Sequence, residues 1–383
     1  DIKHIAFEKV ISFKTAIIEM VCENFEKNAS TDMKIAFEKF CIDNIYWLDD
    51  YAKYFSLKKQ NKGKTWIVWK SKIVQNMKYV HEAKLIQFLF HKQWNCLRKY
   101  CNDKDIKIIG DMPIYVGYDS ADVYANKNLF QLNSSGNMIY QSGAPPCQFQ
   151  EDGQLWQTPL YNWKYHENTN FDWWQKRFKK LFEMVDIIRL DHFIGYATYY
   201  SIPIDNKTAH NGEWIKAPGD KLFQVLKDTI KDFNIFVEDL GDVKEDVIIL
   251  RDKYCFPGMR ILQFELDQIT VSEDFPKNSI VCTGTHDNDT IMGWFESLPI
   301  SSTDGYILTK DKMLQFFQCT IENIHWEIIN YALRTTSNTV IIPLQDILGE
   351  DSSGRFNIPG TLSSDNCHGE CVKNNLRPLL KKN

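Results

Sequence analysis

Val185-Asp-Ile-Ile-Arg-Leu-Asp191 decides how this chain is read. Its apolar, β-branched run is short and ends on charge, the pattern of a strand buried on both faces whose C-terminal end reaches a polar environment. Five other runs share the pattern: Ile106-Lys-Ile-Ile-Gly-Asp111, Asn234-Ile-Phe-Val-Glu-Asp239, Met259-Arg-Ile-Leu-Gln-Phe-Glu265, Ser279-Ile-Val-Cys-Thr-Gly-Thr-His-Asp287 and Thr339-Val-Ile-Ile-Pro-Leu-Gln-Asp346. Helical patterns over 171–184, 221–232, 243–253 and 312–333 fall between them. Alternation of this kind implies a parallel sheet with right-handed crossovers. Polar residues gathered at the C-terminal ends of several such strands point to a β/α barrel, whose loops at that face assemble the active site. An open, doubly wound sheet satisfies the alternation as well. Six strands do not close a barrel of eight, so on the barrel reading two strands are missing and precede Asp1. The expectation is an α/β chain holding a (β/α)8 TIM-barrel catalytic domain with helical insertions, its first two strands absent.

Upstream of the first run, apolar positions return at three and four, as in Ile5, Val10, Ile11, Ala16, Ile17 and Met20, and again over 77–100. Residues 1–100 are therefore expected to form a mainly helical insertion subdomain, with 101–383 as the remainder of the barrel domain. The chain has 383 residues, 44% hydrophobic and 25% charged, and its net charge of -5 is not collected into runs, so nothing suggests a nucleic-acid partner. No apolar stretch of about 18 residues occurs and the N-terminus lacks a signal-peptide core, so no membrane partner is expected and the cytoplasm is the expected compartment. Ten cysteines without paired spacing read as reduced thiols. Cys367-His368-Gly369-Glu370-Cys371 has metal-ligand character but no second ligand pair at zinc-finger spacing, and no metal is expected.

The segment 110–165 is rich in Gly, Pro, Asn and Gln and carries Tyr115, Tyr118, Tyr124, Phe149, Trp156, Tyr161 and Trp163. A long excursion within a compact domain is usually functional. Aromatic faces beside amides and carboxylates suit sugar rings, which stack through C–H patches while their hydroxyls take hydrogen bonds. Each ring can equally serve to pack the excursion onto the body.

Three acidic strand ends carry the chemistry. In Arg189-Leu190-Asp191 the cation and carboxylate lie two residues apart, on one face of a strand, and the guanidinium favours the ionised carboxylate a nucleophile needs. Glu238 ends an apolar run and precedes Asp239, an arrangement that can raise its pKa as a general acid requires. His286-Asp287 adds a third carboxylate with an imidazole beside it, suited to gripping vicinal hydroxyls. Singly, such residues cap helices or form salt bridges. Together they have the form of retaining glycoside chemistry, in which two carboxylates serve as nucleophile and acid/base around an oxocarbenium-like transition state.

Gly110-Asp-Met-Pro-Ile-Tyr-Val116, Asp119-Ser-Ala-Asp-Val123, Gly153-Gln154 with Trp156, Pro159-Leu-Tyr161, Arg189-Leu-Asp-His-Phe193, Asn211-Gly-Glu-Trp214, Lys216-Ala-Pro-Gly219, Val237-Glu-Asp-Leu-Gly241, Pro257-Gly-Met259, Thr283-Gly-Thr-His-Asp-Asn-Asp-Thr290, Pro343-Leu-Gln-Asp346 and Asn357-Ile-Pro-Gly-Thr361 occur in that order. With Trp47-Leu-Asp-Asp-Tyr-Ala52 and Gln93-Trp94, this series resembles the 4-α-glucanotransferases called amylomaltase or disproportionating enzyme, a branch of the α-amylase-like clan. The resemblance implies Asp191 as nucleophile, Glu238 as acid/base and Asp287 as transition-state stabiliser. It further implies that Arg189, His286, Asp111, Trp156 and Asn357 contact or organise the substrate. The implied reaction moves 4-α-glucan segments between malto-oligosaccharides and starch- or glycogen-derived glucans, with glucose as an acceptor, no cofactor, and a cytoplasmic or plastid location. Alternatives within the resemblance are an inactive glucan-binding fragment or pseudoenzyme, and an α-glucan hydrolase of the same clan. Departures from the family pattern fall at Pro146-Cys147-Gln148-Phe149 and at Asn366-Cys367-His368-Gly369-Glu370.

Overall fold

The computed structural model describes residues 7–69, 74–146, 151–266, 274–302 and 307–358. Cys147, Phe149 and the Cys367–Cys371 cluster therefore lie outside the described residues. The chain divides into two compact units, one of residues 11–254 and one of 255–383 together with 1–10, and each is taken by itself.

The first unit opens with helices α1 (Phe7–Asn28, in this unit from Ile11), α2 (Thr31–Asp43), α3 (Ile45–Gln60) and α4 (Met77–Asn102). Side-chain caps start two of them: Ser30 accepts from the Met33 N–H and Asn76 from the Lys78 N–H. Phe25, Phe37, Phe40, Leu48, Leu85 and Phe88 form their common core, with Phe25 edge-on to Phe37 at 5.7 Å. The helices form where the periodicity places them, but of the apolar positions read in α1, Ile11, Ala16, Ile17 and Met20 are exposed, and Phe25 is the α1 side chain that enters the core.

Thereafter come β1 (Ile109–Met112), α5 (Ala121–Ala125), β2 (Tyr140–Ala144), β3 (Gln154–Pro159), α6 (Trp163–Asn168), α7 (Asp172–Met184), β4 (Ile187–Leu190), α8 (Ile194–Ala197), β5 (Thr198–Pro203), β6 (Glu213–Lys216), α9 (Gly219–Thr229), β7 (Ile235–Val237) and α10 (Glu245–Lys253). β1, β4 and β7 are parallel neighbours in that order, as the strand–helix alternation predicts. The aromatic excursion is not irregular throughout: β2 and β3 join β5 and β6 in an antiparallel sheet ordered β3-β2-β5-β6. Gly143 lets β3 approach, since a Cβ there would stand 2.0 Å from the Gln154 carbonyl oxygen. Trp174, Tyr161, Tyr196, Phe178, Phe193 and Phe223 are fully buried, and the Trp163 and Trp174 rings stack at 5.8 Å.

The second unit contains β8 (Gly258–Ile261), α11 (Leu262–Glu265), β9 (Ser279–Cys282), α12 (Ile291–Ser297), α13 (Lys310–Phe317), α14 (Ile324–Arg334), β10 (Thr339–Ile341) and α15 (Leu344–Leu348). β9 lies between β8 and β10, both parallel to it. Leu262, Val281, Ile291, Phe295, Met313 and Ile328 share its core. Three sequence expectations need correction here. The runs 259–265 and 339–346 stop being strands at Ile261 and Ile341, each passing into a short helix, and the helix read over 312–333 is two helices. Gln318 ends α13 in the left-handed conformation, φ 49°, and its N–H bonds back to Gln315 and Leu314, closing the helix before the chain restarts.

Candidate active site

Strand register brings four charged side chains of the first unit together. Asp111 on β1 pairs with Arg189 on β4, which in turn pairs with Phe236 on β7. Asp191 lies two residues beyond Arg189 and Glu238 two beyond Phe236, so the period of two puts Asp111, Arg189, Asp191 and Glu238 on the same face. The Arg189 guanidinium, only 12% exposed, is their hub. Nη1 donates to Asp111 Oδ1 and Oδ2 at 2.7 and 2.9 Å and to Asp191 Oδ1 at 3.1 Å, while Nη2 donates to Glu238 Oε2 at 3.0 Å. Backbone bonds fix the strand ends: Asp191 N–H donates to the Met112 carbonyl at 3.2 Å and Glu238 N–H to that of Leu190 at 2.9 Å.

Burial pushes the Glu238 carboxyl up to about 7, against the pull of Arg189 and of the His192 N–H, and the neighbouring Asp191 raises it further. Asp239, which the sequence offered as the anionic neighbour, is not the cause. Alternation turns its side chain away to Arg251, whose Nη1 lies 2.6 Å from Asp239 Oδ2. The Arg189 guanidinium loses hydration where it sits, but Glu238, Asp111 and Asp191 outweigh that and hold it more firmly protonated.

Of the excursion's aromatics, Tyr118 and Tyr124 pack on Trp66, and Tyr161 and Trp163 on Trp174. Trp156, on β3, packs on His192, the residue that follows Asp191. It meets Tyr115 at 5.9 Å and the edge of His192 at 4.8 Å, and its Nε1 donates to Gln154 Oε1. His192 was quoted within a motif but given no role. It adopts φ 46°, and its N–H donates to Glu238 Oε2 at 2.8 Å.

The second unit holds its own cluster at the end of β9. Asn357 Nδ2 donates to Asp287 Oδ1 at 2.7 Å, and His286 Nε2 lies 3.4 Å from Asp287 Oδ2. Arg355, which sequence reasoning passed over, donates to the Asp287 and Asn357 carbonyls, both at 2.8 Å. Asp346 is a buried structural acceptor: it takes Thr283 Oγ1 at 2.6 Å and the first amide of α12, Ile291 N–H, at 2.8 Å. Among the described residues no group of three His, Cys, Asp or Glu side chains is placed to hold a metal ion, and no helix is long and apolar enough to cross a membrane.

Parallel strands with helical crossovers and carboxylates at their C-terminal ends define an α/β enzyme of the TIM-barrel-like class. The family model for 4-alpha-glucanotransferase matches residues 1–371. The 4-alpha-glucanotransferase of Synechocystis sp. is 37% identical over 379 residues, covering 94% of this chain and 74% of the relative. That of Clostridium butyricum is 40% identical over 348 residues, covering 86% and 70%. Among solved structures, amylomaltase from Streptococcus agalactiae in complex with acarbose superposes with a TM-score of 0.87 at 31% identity, covering 95% of this chain and 75% of that one. The chain belongs to the 4-alpha-glucanotransferase family, whose members are glycosyl-transferring enzymes.

Proposed function

We propose that the protein disproportionates malto-oligosaccharides by a retaining double displacement, with starch- or glycogen-derived glucans as donors and glucose or another glucan as acceptor. The observation that carries this reading is the split environment of two carboxyls on one guanidinium: burial drives Glu238 toward its neutral form, while Asp191 sits beside the cation. In the first half-reaction an Asp191 oxygen attacks C1 of the donor glucose. The C1–O4 bond breaks, and the leaving O4 takes the Glu238 proton. In the second, an acceptor 4-hydroxyl gives its proton to Glu238 as its oxygen attacks C1, and Asp191 leaves as carboxylate. Asp287 is assigned to stabilising the oxocarbenium-like charge. Arg189, His286, Asp111, Trp156 and Asn357 are assigned to holding the central sugar or the groups around it. Carboxylates handle both the proton and the developing charge, so the scheme requires no metal or organic cofactor.

Transfer outruns hydrolysis when the glycosyl ester is shielded until an acceptor arrives. The aromatic excursion carrying Trp156 suits that task. Seven described cysteines are free thiols, which fits the cytoplasm or a plastid interior. Incubation of the protein with maltotriose tests the proposal: glucose together with oligosaccharides longer than three units is expected. Products shortened throughout, with no chain lengthened, would show a hydrolase. Maltodextrin binding without turnover would show a pseudoenzyme.

A further inference from the structure

His192 combines three features that no role assigned above explains. It is a non-glycine residue at φ 46°, in the left-handed region that L side chains rarely adopt and that concentrates at functional sites. That conformation aims its N–H at Glu238 Oε2, at 2.8 Å, immediately after Asp191 in the chain. Its ring stands edge-on to Trp156, 4.8 Å between centroids and 88° between planes, and Trp156 in turn touches Tyr115. Burial keeps the imidazole neutral, its pKa lowered to about 4 against the pull of Asp191, so near neutral pH the ring offers Trp156 shape and not charge.

We propose that His192 is a positioning residue that couples the aromatic cover to the acid/base: its inward-turned backbone N–H orients the Glu238 carboxyl while its ring braces Trp156. The proposal rests on the reading of Glu238 as the acid/base. Backbone and ring make separable contributions, and two substitutions divide them. Glycine adopts φ 46° freely and keeps the N–H, so His192→Gly removes the ring alone. A β-branched residue resists positive φ, so His192→Val also turns the N–H away.

The experiment measures the pH dependence of kcat/KM for maltotriose disproportionation, and kcat and acceptor KM separately, on the full chain. In His192→Gly the alkaline limb stays where it is and acceptor KM rises about tenfold, because Trp156 has lost its brace. In His192→Val the limb moves to higher pH, because an N–H bond that lowers the Glu238 pKa is gone, and kcat falls about tenfold or more. If His192→Val does not fold, as judged by circular dichroism, His192→Ala carries the same comparison at a smaller conformational penalty. Identical behaviour of the glycine and branched variants, or an unmoved limb in the latter, overturns the proposal. Glu238→Gln assigns the limb independently: full activity in that variant overturns the acid/base reading, whereas an inactive Glu238→Gln beside an unmoved limb overturns the His192 inference alone.

Discussion

Glu238→Gln is expected to make the protein more stable and nearly inactive, and the stability gain is expected to depend on pH. Glutamine is an isostere of the protonated carboxyl. Its Oε1 can accept from Arg189 Nη2 and the His192 N–H as Glu238 Oε2 does, and its amide can donate toward Asp191. Burial raises the Glu238 pKa from 4.5 to about 7 in the folded protein. Below pH 4.5 the side chain is neutral in both folded and unfolded states, and wild type carries no penalty. Between the two values the folded state binds the proton that the unfolded state has released, so wild-type stability falls as pH rises. Above about 7 the folded protein holds an ionised carboxylate at a cost of about 3–4 kcal/mol before screening, the size that a shift of this order implies. The carboxyl is 22% exposed, which leaves most of that cost unscreened. The advantage of Glu238→Gln over wild type is therefore small at pH 4.5 and grows by about 2–3 kcal/mol by pH 8, a widening of about 3 °C in Tm. Thermal unfolding of both proteins across this range reads it directly. A gap that is constant with pH, or that narrows as pH rises, refutes the claim that burial outweighs Arg189 at this carboxyl. In the same variant kcat/KM for maltotriose should drop by about 10²–10⁴, the range expected when a general acid is lost.

Arg189→Met leaves Asp111, Asp191 and Glu238 facing one another without their shared cation. It should cost about 2–4 kcal/mol near neutral pH by urea denaturation, with Arg189→Lys intermediate because it restores the charge but not the fork. The cost is held to that range because Asp111 is 47% and Asp191 37% exposed to screening water. Asp346→Ala strips the partners from buried Thr283 Oγ1 and the Ile291 N–H and should cost about 2–3 kcal/mol, whereas Asp346→Asn, able to serve both, should cost much less. Burial raises the Asp346 pKa, so wild type is weakened as pH rises through the titration, and the asparagine variant's deficit should shrink toward alkaline pH in the same unfolding assay.

The strand-end carboxylates were legible because two local signals coincide at each: an apolar run sets the strand, and the first charge after it marks where the strand leaves the core. Asp111, Arg189, Asp191 and Glu238 follow from that rule, and the parallel register then brings them onto one face. The antiparallel sheet β3-β2-β5-β6 was not legible, because Tyr140–Ala144 and Gln154–Pro159 have neither alternation nor a β-branched run. Those strands exist through pairing and through the close approach that Gly143 permits, which are properties of distant partners. The same division separates which carboxyl is raised from what raises it. A raised Glu238 was inferred from Asp239, one residue away, yet adjacency along a strand means opposite faces, and Asp239 answers to Arg251. Burial in the folded sheet raises Glu238 and Asp191 adds to it, while Arg189 and the His192 N–H pull against them, and all three residues lie more than forty positions earlier in the chain. Sequence spacing therefore nominates which carboxyl can be tuned, but the tuning itself is done across the register, and a substitution at Asp239 should leave the alkaline limb of activity where it is while His192→Val moves it.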